Sequence, residues 1–264
     1  MLYPAPKGLG FFKRYAYESQ GMLRFGGQIV RSCFGRPFYL AEFFEQMYLN
    51  GIGSMYLVVL TGLFAGLAMA TQFSVEFADF GAKTYLGRVM VLAIVRELGP
   101  VLAGLMIAAR VASGITAEIG SMKSSNQIDA MRAFSIDPIR KLAVPRFLSL
   151  LVMVPALTIV ADVIAILGGY LTAVYVAHIS DSLYWAPVVD RLNFGNLFIG
   201  TFKPLVNALI IAFVSIYKGF TSEGGAKGVG VATTQSVVIA SITILVMNFI
   251  STKVVFTFIR GYFY

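Results

Sequence analysis

Residues 89–109 read VMVLAIVRELGPVLAGLMIAA, an apolar run that is interrupted once, at residues 96–100 (RELGP). The run is long enough to cross the roughly 30 Å hydrocarbon core of a bilayer as a helix. It therefore predicts a membrane span with two adjacent charges inside it, and such charges cost about 2.5–3.5 kcal/mol each and usually face a cavity or a partner. Pro100 has no N–H, so the carbonyl of Arg96 loses its helical partner and the helix kinks. We expect a polar site at this break.

The composition of the whole chain is that of a membrane protein. Of its 264 residues 58% are hydrophobic and 13% are charged, and the mean hydropathy is +0.78. Soluble domains carry about 25% charged residues. The net charge of +8 could suggest nucleic acid, but most basic residues flank apolar segments, where they set topology and contact lipid head groups. We predict an all-α polytopic membrane protein that binds no nucleic acid.

Several kinds of chemistry are disfavoured by the residue content. Cys33 and His178 are the only cysteine and histidine, so an intrachain disulfide is excluded and a His/Cys metal site is disfavoured. The sequence has no G-x-x-x-x-G-K-[ST], H-E-x-x-H or G-x-S-x-G motif, and residues 224–228 (GGAKG) do not meet the first of these. We therefore predict that the chain is not an enzyme and cannot be its own P-loop ATPase.

Five apolar segments predict five transmembrane helices. They lie at about 50–73, 86–111, 147–177, 196–217 and 231–256. Residues 6–45 precede them as a basic, amphipathic segment, which predicts an interfacial helix on the membrane or, alternatively, a helix packed on the rest of the protein. Placing the N-terminus in the cytoplasm puts most basic residues inside, which predicts an N-in, C-out topology. The chain is predicted to be a single domain whose five-span core covers about 46–258.

Charged residues inside the predicted spans are candidates for one polar site. They are Arg96, Glu97, Asp162 and Lys203. Lys203 precedes Pro204, so a second charge lies at a helix break, and two breaks on different spans suggest a site between helices. Such a site would take a substrate with an apolar body and a charged head. The alternative is an ion-pair network that only holds the helices together.

Small and polar residues recur at helical spacing on two of the spans. In the first span Gly62, Gly66 and Ala70 form a small face that permits close helix approach. In the fifth span a polar stripe should face protein or a cavity, although such stripes more often serve packing. The stripe consists of Thr234, Ser241 and Asn248.

Residues 112–146 form the longest polar connection, and they contain a predicted short amphipathic helix. Ser124 or Ser125 would cap a helix that begins near Asn126, and Asp137 followed by proline would end it. Its apolar side would consist of Ile128, Met131 and Phe134. On the cytoplasmic side such a helix would either dock a soluble partner or rest on the lipid head groups.

A series of short motifs runs through the five-span region. They are RELGPVL at 96–102, AR at 109–110, TAEIGSM at 116–122, QIDAM at 127–131, DP at 137–138, PRF at 145–147, GG at 168–169, GVG at 228–230 and ATT at 232–234. Together they resemble the MlaE-type (YrbE-like) permeases, the membrane subunits of ABC transporters in bacterial phospholipid trafficking. The likeness covers nearly all of residues 45–258.

The resemblance implies an assembly around this chain. It implies a homodimer in the bacterial inner membrane, with separate P-loop ATPase subunits that hold ATP and Mg²⁺, so this chain would carry no cofactor. It implies a periplasmic MCE-domain subunit, usually hexameric, and in some systems a cytoplasmic STAS-domain protein. The expected cargo is phospholipid, moved towards or from the outer membrane. The alternative is a secondary transporter or channel that uses the intramembrane charges as an ion path, and a structural scaffold is a third reading.

The resemblance also implies roles for particular residues. The expected lipid cavity comprises Arg96, Glu97, Leu98, Lys203, Gly66 and Ala70. In it Arg96 and Lys203 would attract a phosphate, and Glu97 would pair with Arg96. The expected ATPase-coupling residues on the 112–146 segment are Glu118, Ile128, Met131, Phe134 and Asp137. Asp162 and the polar stripe of the fifth span are further candidate polar groups within the membrane.

Overall fold

The computed structural model describes residues 11–259, with side chains at 17–254 and at Thr257, and in this range it contains helices and no strand. The α-helices are α1 Phe11–Ser32, α2 Leu40–Met47, α3 Gly53–Asp79, α4 Leu86–Ala93, α5 Gly99–Ile107, α6 Ser113–Ser124, α7 Gln127–Ala133, α8 Val144–Tyr175, α9 Asp181–Arg191, α10 Phe194–Thr221 and α11 Gly225–Ile259. Within the described range, π-helical turns occur at Tyr48–Ile52, Ile94–Leu98, Ala108–Ala112 and Ile139–Ala143. The prediction of an all-α protein is confirmed.

Five of the described helical stretches are long and apolar enough to cross a membrane, as predicted. They are Leu40–Asp79, Lys83–Ser124, Ile139–Tyr175, Phe194–Thr221 and Gly225–Val254. The second stretch runs past the predicted end at 111, because Ile115, Thr116 and Ile119 are buried and tertiary packing outweighs the polar composition. The third stretch begins at Ile139, earlier than the predicted 147. The connection predicted at 112–146 is therefore reduced to residues 125–138, which contain the short helix α7 at 127–133.

The fourth stretch ends later and the fifth begins earlier than predicted, at Thr221 and Gly225 instead of about 217 and 231, so only residues 222–224 remain between them. Gly224 and Gly225 have φ values of +91° and +64°. Such values suit glycine, and they let the chain turn between α10 and α11 within a few residues. Gly228 lies inside α11, where a Cβ would collide with the carbonyl of Glu223.

The chain divides into two compact units. The first comprises residues 11–53, 108–153 and 208–243, and the second comprises residues 54–107, 154–207 and 244–259.

In the first unit, α1 packs its apolar face on α10. Phe25 and Ile29 are almost completely buried, and the ring of Phe25 lies 6.2 Å from that of Tyr217 and 5.5 Å from that of Phe220. A Cβ at Gly26 would lie 3.2 Å from the ring of Phe213. Other residues of α1, such as Leu23, are exposed, so one side of α1 packs on the protein and the interfacial position of the segment stays a prediction. Residues 6–10 lie outside the described range.

In the second unit, glycines bring the backbones of α3 and α8 into contact. A Cβ at Gly62 would lie 2.7 Å from the carbonyl oxygen of Ala161, and a Cβ at Gly66 would collide with the carbonyl of Ala165. Ala70 is fully buried on the same face of α3. Close approach of this kind is how small residues stabilise helix pairs in membranes.

We expect Gly66→Leu to destabilise the protein, because overpacking against a backbone carbonyl costs about 1–3 kcal/mol or more. Thermal unfolding of the detergent-solubilised protein, followed by size-exclusion chromatography, measures the loss. Ala68→Leu is the matched control, since Ala68 is exposed on the other side of α3. Equal stability of the two variants would contradict the packing role of Gly66.

Candidate functional site

The candidate site begins at the break predicted in the second span. Residues Ile94–Leu98 form a π-helical turn in which the N–H of Gly99 donates to the carbonyl of Ile94. Pro100 follows in the first turn of α5, where a missing N–H costs little. Because Pro100 cannot donate to the carbonyl of Arg96, that oxygen is open to a side chain. The Nζ of Lys203, on α10, donates to it at 2.6 Å.

Lys203 is the centre of the site. Its side chain is only 2% exposed. Besides the carbonyl of Arg96, its ammonium contacts Oε1 of Glu97 at 2.9 Å and Oγ1 of Thr252 at 2.9 Å. A lysine ammonium has three N–H donors, so the donors of Lys203 are matched by three acceptors of this protein.

Glu97 links three elements of the second unit. Its carboxylate pairs with Lys203 of α10, and it accepts a hydrogen bond from Nδ2 of Asn248 on α11 at 3.2 Å. The hydroxyl of Thr252, one turn further along α11, lies 3.0 Å from each carboxylate oxygen. The side chain of Glu97 is still 37% exposed, so the carboxylate is held by protein on one side and accessible on the other.

The formal charges of the ion-pair cluster, which does not include the neighbouring Asp162, leave a net positive charge. Arg96 and Lys203 are cations and Glu97 is an anion, so the three together carry +1. Arg96 is half-buried beside the pair, and a guanidinium remains charged at any relevant pH. The arrangement therefore suits one negatively charged group, such as a phosphodiester.

A second contact between α10 and the break lies one helical turn from the first. Nδ2 of Asn207 donates to the carbonyl of Pro100 at 2.9 Å. Lys203 and Asn207 are four residues apart, as are the two carbonyls they contact, so α10 supports the start of α5 at two successive turns. A Cβ at Gly104 would lie 2.8 Å from Nδ2 of Asn207, which keeps this approach close.

Asp162 lies on α8 close to the break but outside the ion-pair cluster. It is 7% exposed, and its Oδ1 has no hydrogen-bond partner among the described residues. A Cβ at Gly99 would collide with that oxygen. The position after the π-helical turn thus requires glycine, and Asp162 fills the space that a side chain would take.

The structure brings together some of the predicted site residues and separates others. Glu97 pairs with Lys203, whereas the sequence predicts Arg96 as its partner. Asn248 reaches the site, but Thr234 is exposed, and its hydroxyl bonds to the carbonyl of Gly230 in its own helix. Ser241 is half-buried, Leu98 is half-buried at the break, and Gly66 and Ala70 are enclosed by helix packing.

Thr252 and Asn207 are site residues that were not predicted from the sequence. Thr252 lies four residues after Asn248, and Asn207 lies four residues after Lys203. The i, i+4 relation to an already selected polar residue was the signal that could have found both, since such residues share a helix face.

The coupling segment has the predicted short helix with a different start. α7 begins after Asn126, whose φ is +57°, without a side-chain cap. The hydroxyl of Ser125 instead bonds to the carbonyl of Ser121 at 2.9 Å, at the end of α6. Ile128 is buried and Met131 half-buried, whereas Phe134 follows the helix and is 79% exposed. The three side chains that were predicted to form one apolar side of the helix therefore differ in their burial.

Ion pairs and caps fix both ends of this segment in the first unit. Nη2 of Arg146, which is buried, lies 2.6 Å from Oε1 of the half-exposed Glu118, and the pair joins α8 to α6. Nη1 of Arg146 also donates to the carbonyl of Leu142 at 2.7 Å. Oδ1 of Asp137 accepts the N–H of Ile139 at 2.9 Å, where the third span begins. Residues 125–138 thus connect helical segments that the Glu118–Arg146 ion pair holds together.

Together the five apolar helices and the ion pair at a broken helix define a polytopic membrane protein with a charged site among its spanning segments. Residues 43–254 match the family model described as Permease MlaE, and the chain belongs to this family, as its motifs predict.

Similar proteins come from several organisms. A probable ABC transporter permease protein of Rickettsia typhi is 38% identical over 86% of this chain and 88% of its own. The intermembrane phospholipid transport system permease protein MlaE of Haemophilus influenzae is 31% identical over 94% of each chain. A probable ABC transporter permease protein of Synechocystis is 37% identical over 78% of each chain.

Proposed function

We propose that this chain is the permease subunit of an ABC transporter that moves phospholipids between the bacterial inner membrane and a periplasmic MCE-domain carrier. The observation that carries this proposal is the Glu97–Lys203 ion pair, which holds the turn bearing Arg96 within a membrane-spanning stretch. The Haemophilus influenzae relative is named for intermembrane phospholipid transport, and this supports the choice of cargo.

Within the site we assign different tasks to the two cations. Arg96 contacts the lipid phosphodiester, because the cluster as a whole carries one net positive charge. Lys203 positions the turn, because its three donors are already matched by the carbonyl of Arg96, Glu97 and Thr252. This differs from the role of phosphate ligand that the resemblance implies for Lys203. The exposed side of the Glu97 carboxylate reduces the positive electrostatic potential at the lipid head group.

The proposed energy source lies on partner chains. ATP and Mg²⁺ bind to separate P-loop ATPase subunits that dock on residues 125–138, and the chain itself needs no cofactor and performs no catalysis. The Glu118–Arg146 pair joins α6 to α8 beside this segment, so a push on α7 would be passed to both helices. The chain works as a homodimer with its N-terminus in the cytoplasm and its C-terminus outside, and a STAS-domain protein completes some assemblies.

Native mass spectrometry of the tagged protein, gently extracted from its own cells, tests this assignment. Two copies of the chain with two P-loop ATPases and bound phospholipid are the expected result. A chain that carries no ATPase, under conditions that preserve complexes, would overturn the proposal and favour the ion-path alternative.

We expect Phe134→Asp to abolish association with the ATPase while the permease stays folded. Phe134 is 79% exposed, so the substitution removes an apolar contact surface without opening the core. Co-purification with the ATPase measures the effect. Phe80→Asp is the control, since Phe80 is equally exposed but lies after α3. Unchanged co-purification of Phe134→Asp would refute the docking assignment.

A further inference from the structure

The first unit contains a pocket, lined by charged and apolar residues, that the proposed transport site does not use. Its volume is about 430 Å³, within the range of about 300–1,000 Å³ that is typical of ligand pockets. The walls are the end of α10, the turn at 222–224, the first turns of α11 and Glu18 of α1. None of its residues belongs to the Arg96–Glu97–Lys203 cluster.

Lys218 supplies a buried cation to this pocket. Its side chain is 7% exposed, and its Nζ contacts Oε2 of Glu18 at 2.7 Å and Oε1 of Gln235 at 3.1 Å. Two of the three ammonium donors are thus matched within the described residues. Since Lys218 lines the pocket, the third donor is available to a molecule inside it.

Among the described residues that line the pocket, the formal charges balance. Lys218 and Lys227 are cations, and Glu18 and Glu223 are anions. A pocket lined by separate positive and negative groups is complementary to a zwitterion, whose phosphate would meet the lysines and whose amine would meet the exposed Glu223. A purely anionic ligand would meet the two carboxylates as well and would be repelled by them.

The remaining wall is apolar and is formed by two spanning helices. Gly224, Gly228 and Ala232 give α11 a small face towards the pocket, and Val231 lies beside them. α10 and α11 both belong to stretches long enough to cross a membrane, and the pocket is at the turn that joins them. The ends of spanning helices lie at the level of the lipid head groups.

We propose that this pocket binds the head group of a zwitterionic phospholipid of the phosphoethanolamine type, as a lipid site separate from the transport site. The lipid bound there need not be transported, so the proposal does not depend on the proposed function. A free phosphoethanolamine compound offers the same head-group chemistry, and the experiment separates the two sources.

The test fills the pocket and counts the bound lipids. Val231→Trp places a large ring on the pocket wall, while Val238→Trp, two turns further along α11 and outside the pocket, is the matched control. Both valines are about half exposed. The permease is purified with its partner subunits, depleted of lipid and titrated with dioleoylphosphatidylethanolamine, glycerophosphoethanolamine or inorganic phosphate, and native mass spectrometry measures the stoichiometry.

The expected result is that Val231→Trp binds one phosphatidylethanolamine per chain fewer than the wild type, and that Val238→Trp binds as the wild type does. Equal stoichiometry in the three proteins would overturn the proposal. If the protein binds glycerophosphoethanolamine or phosphate but no bound lipid is lost in Val231→Trp, the pocket binds a free ligand and the proposal is overturned. Arg96→Ala tests the transport site separately. If Val231→Trp still binds one lipid fewer than the wild type, the pocket is supported whatever the effect of Arg96→Ala, even if the transport proposal fails.

Discussion

Replacing Lys203 by methionine is expected to lower lipid transport by about 10- to 100-fold and to lower the stability of the protein. The substitution leaves a carboxylate of the ion pair and the carbonyl of Arg96 without the buried ammonium that contacts both. Leaving a buried carbonyl without its hydrogen-bond partner costs about 1–3 kcal/mol, and Glu97, whose side chain is 37% exposed, adds less than a fully buried charge would. If that cost falls on the transport-competent state, activity drops by about 10- to 100-fold, since about 1.4 kcal/mol corresponds to a factor of ten.

Lys253→Met is the matched control for this prediction. Lys253 follows Thr252 on α11 and loses the same charge, but its side chain is exposed. Transport of labelled phospholipid from proteoliposomes that contain the whole complex, together with thermal unfolding of each variant, measures both effects. Wild-type transport by Lys203→Met, or an equal loss in Lys253→Met, would contradict the central role of Lys203.

The sequence predicts this part of the molecule well because the relevant constraints are local. A proline that lacks an N–H, four residues after Arg96, creates an open carbonyl at a known position. Charges within apolar segments require partners because the bilayer offers none. These two rules select Arg96, Glu97 and Lys203 and predict that a partner must satisfy the carbonyl, without any knowledge of the fold.

The choice of partners could not be predicted in the same way. Glu97 and Arg96 are neighbours in sequence, but residues i and i+1 of a helix point to different sides. Whether Lys203 or another cation meets Glu97 depends on the register of α10 against the π-helical turn. Thr252 joins the site for the same reason, and Gly66 and Ala70 pack on α8 because the helices approach there.

The predicted lengths of the connections between the spans were also wrong, because tertiary packing extends the helices. Residues 113–124 have a mixed composition and look like the start of a loop. Thr116 nevertheless donates to the carbonyl of Ser215 at 3.0 Å, and Ile119 is fully buried. Contacts made by one face of a helix can therefore extend it well beyond the apolar run that identifies the span.

Glu97→Lys is expected to eliminate transport while the protein still reaches the membrane. The new cation would lie close to the buried ammonium of Lys203, and like charges repel each other at such a distance. Glu97→Gln is the milder companion, because it removes the charge but keeps an acceptor for Asn248 and Thr252. We expect an intermediate loss for Glu97→Gln in the proteoliposome assay, and normal transport by Glu97→Lys would exclude Glu97 from the site.

The charge-swapped double variant, Glu97→Lys with Lys203→Glu, tests whether Lys203 acts only through its charge or also through its hydrogen bond to the backbone. If only opposite charge mattered, the swap would restore transport. Lys203 also donates to the carbonyl of Arg96 at 2.6 Å, and a glutamate at that position would place an acceptor against an acceptor. We therefore expect the double variant to stay inactive. Recovery to near the wild-type rate would show that the pair acts by charge alone and that the carbonyl contact is dispensable.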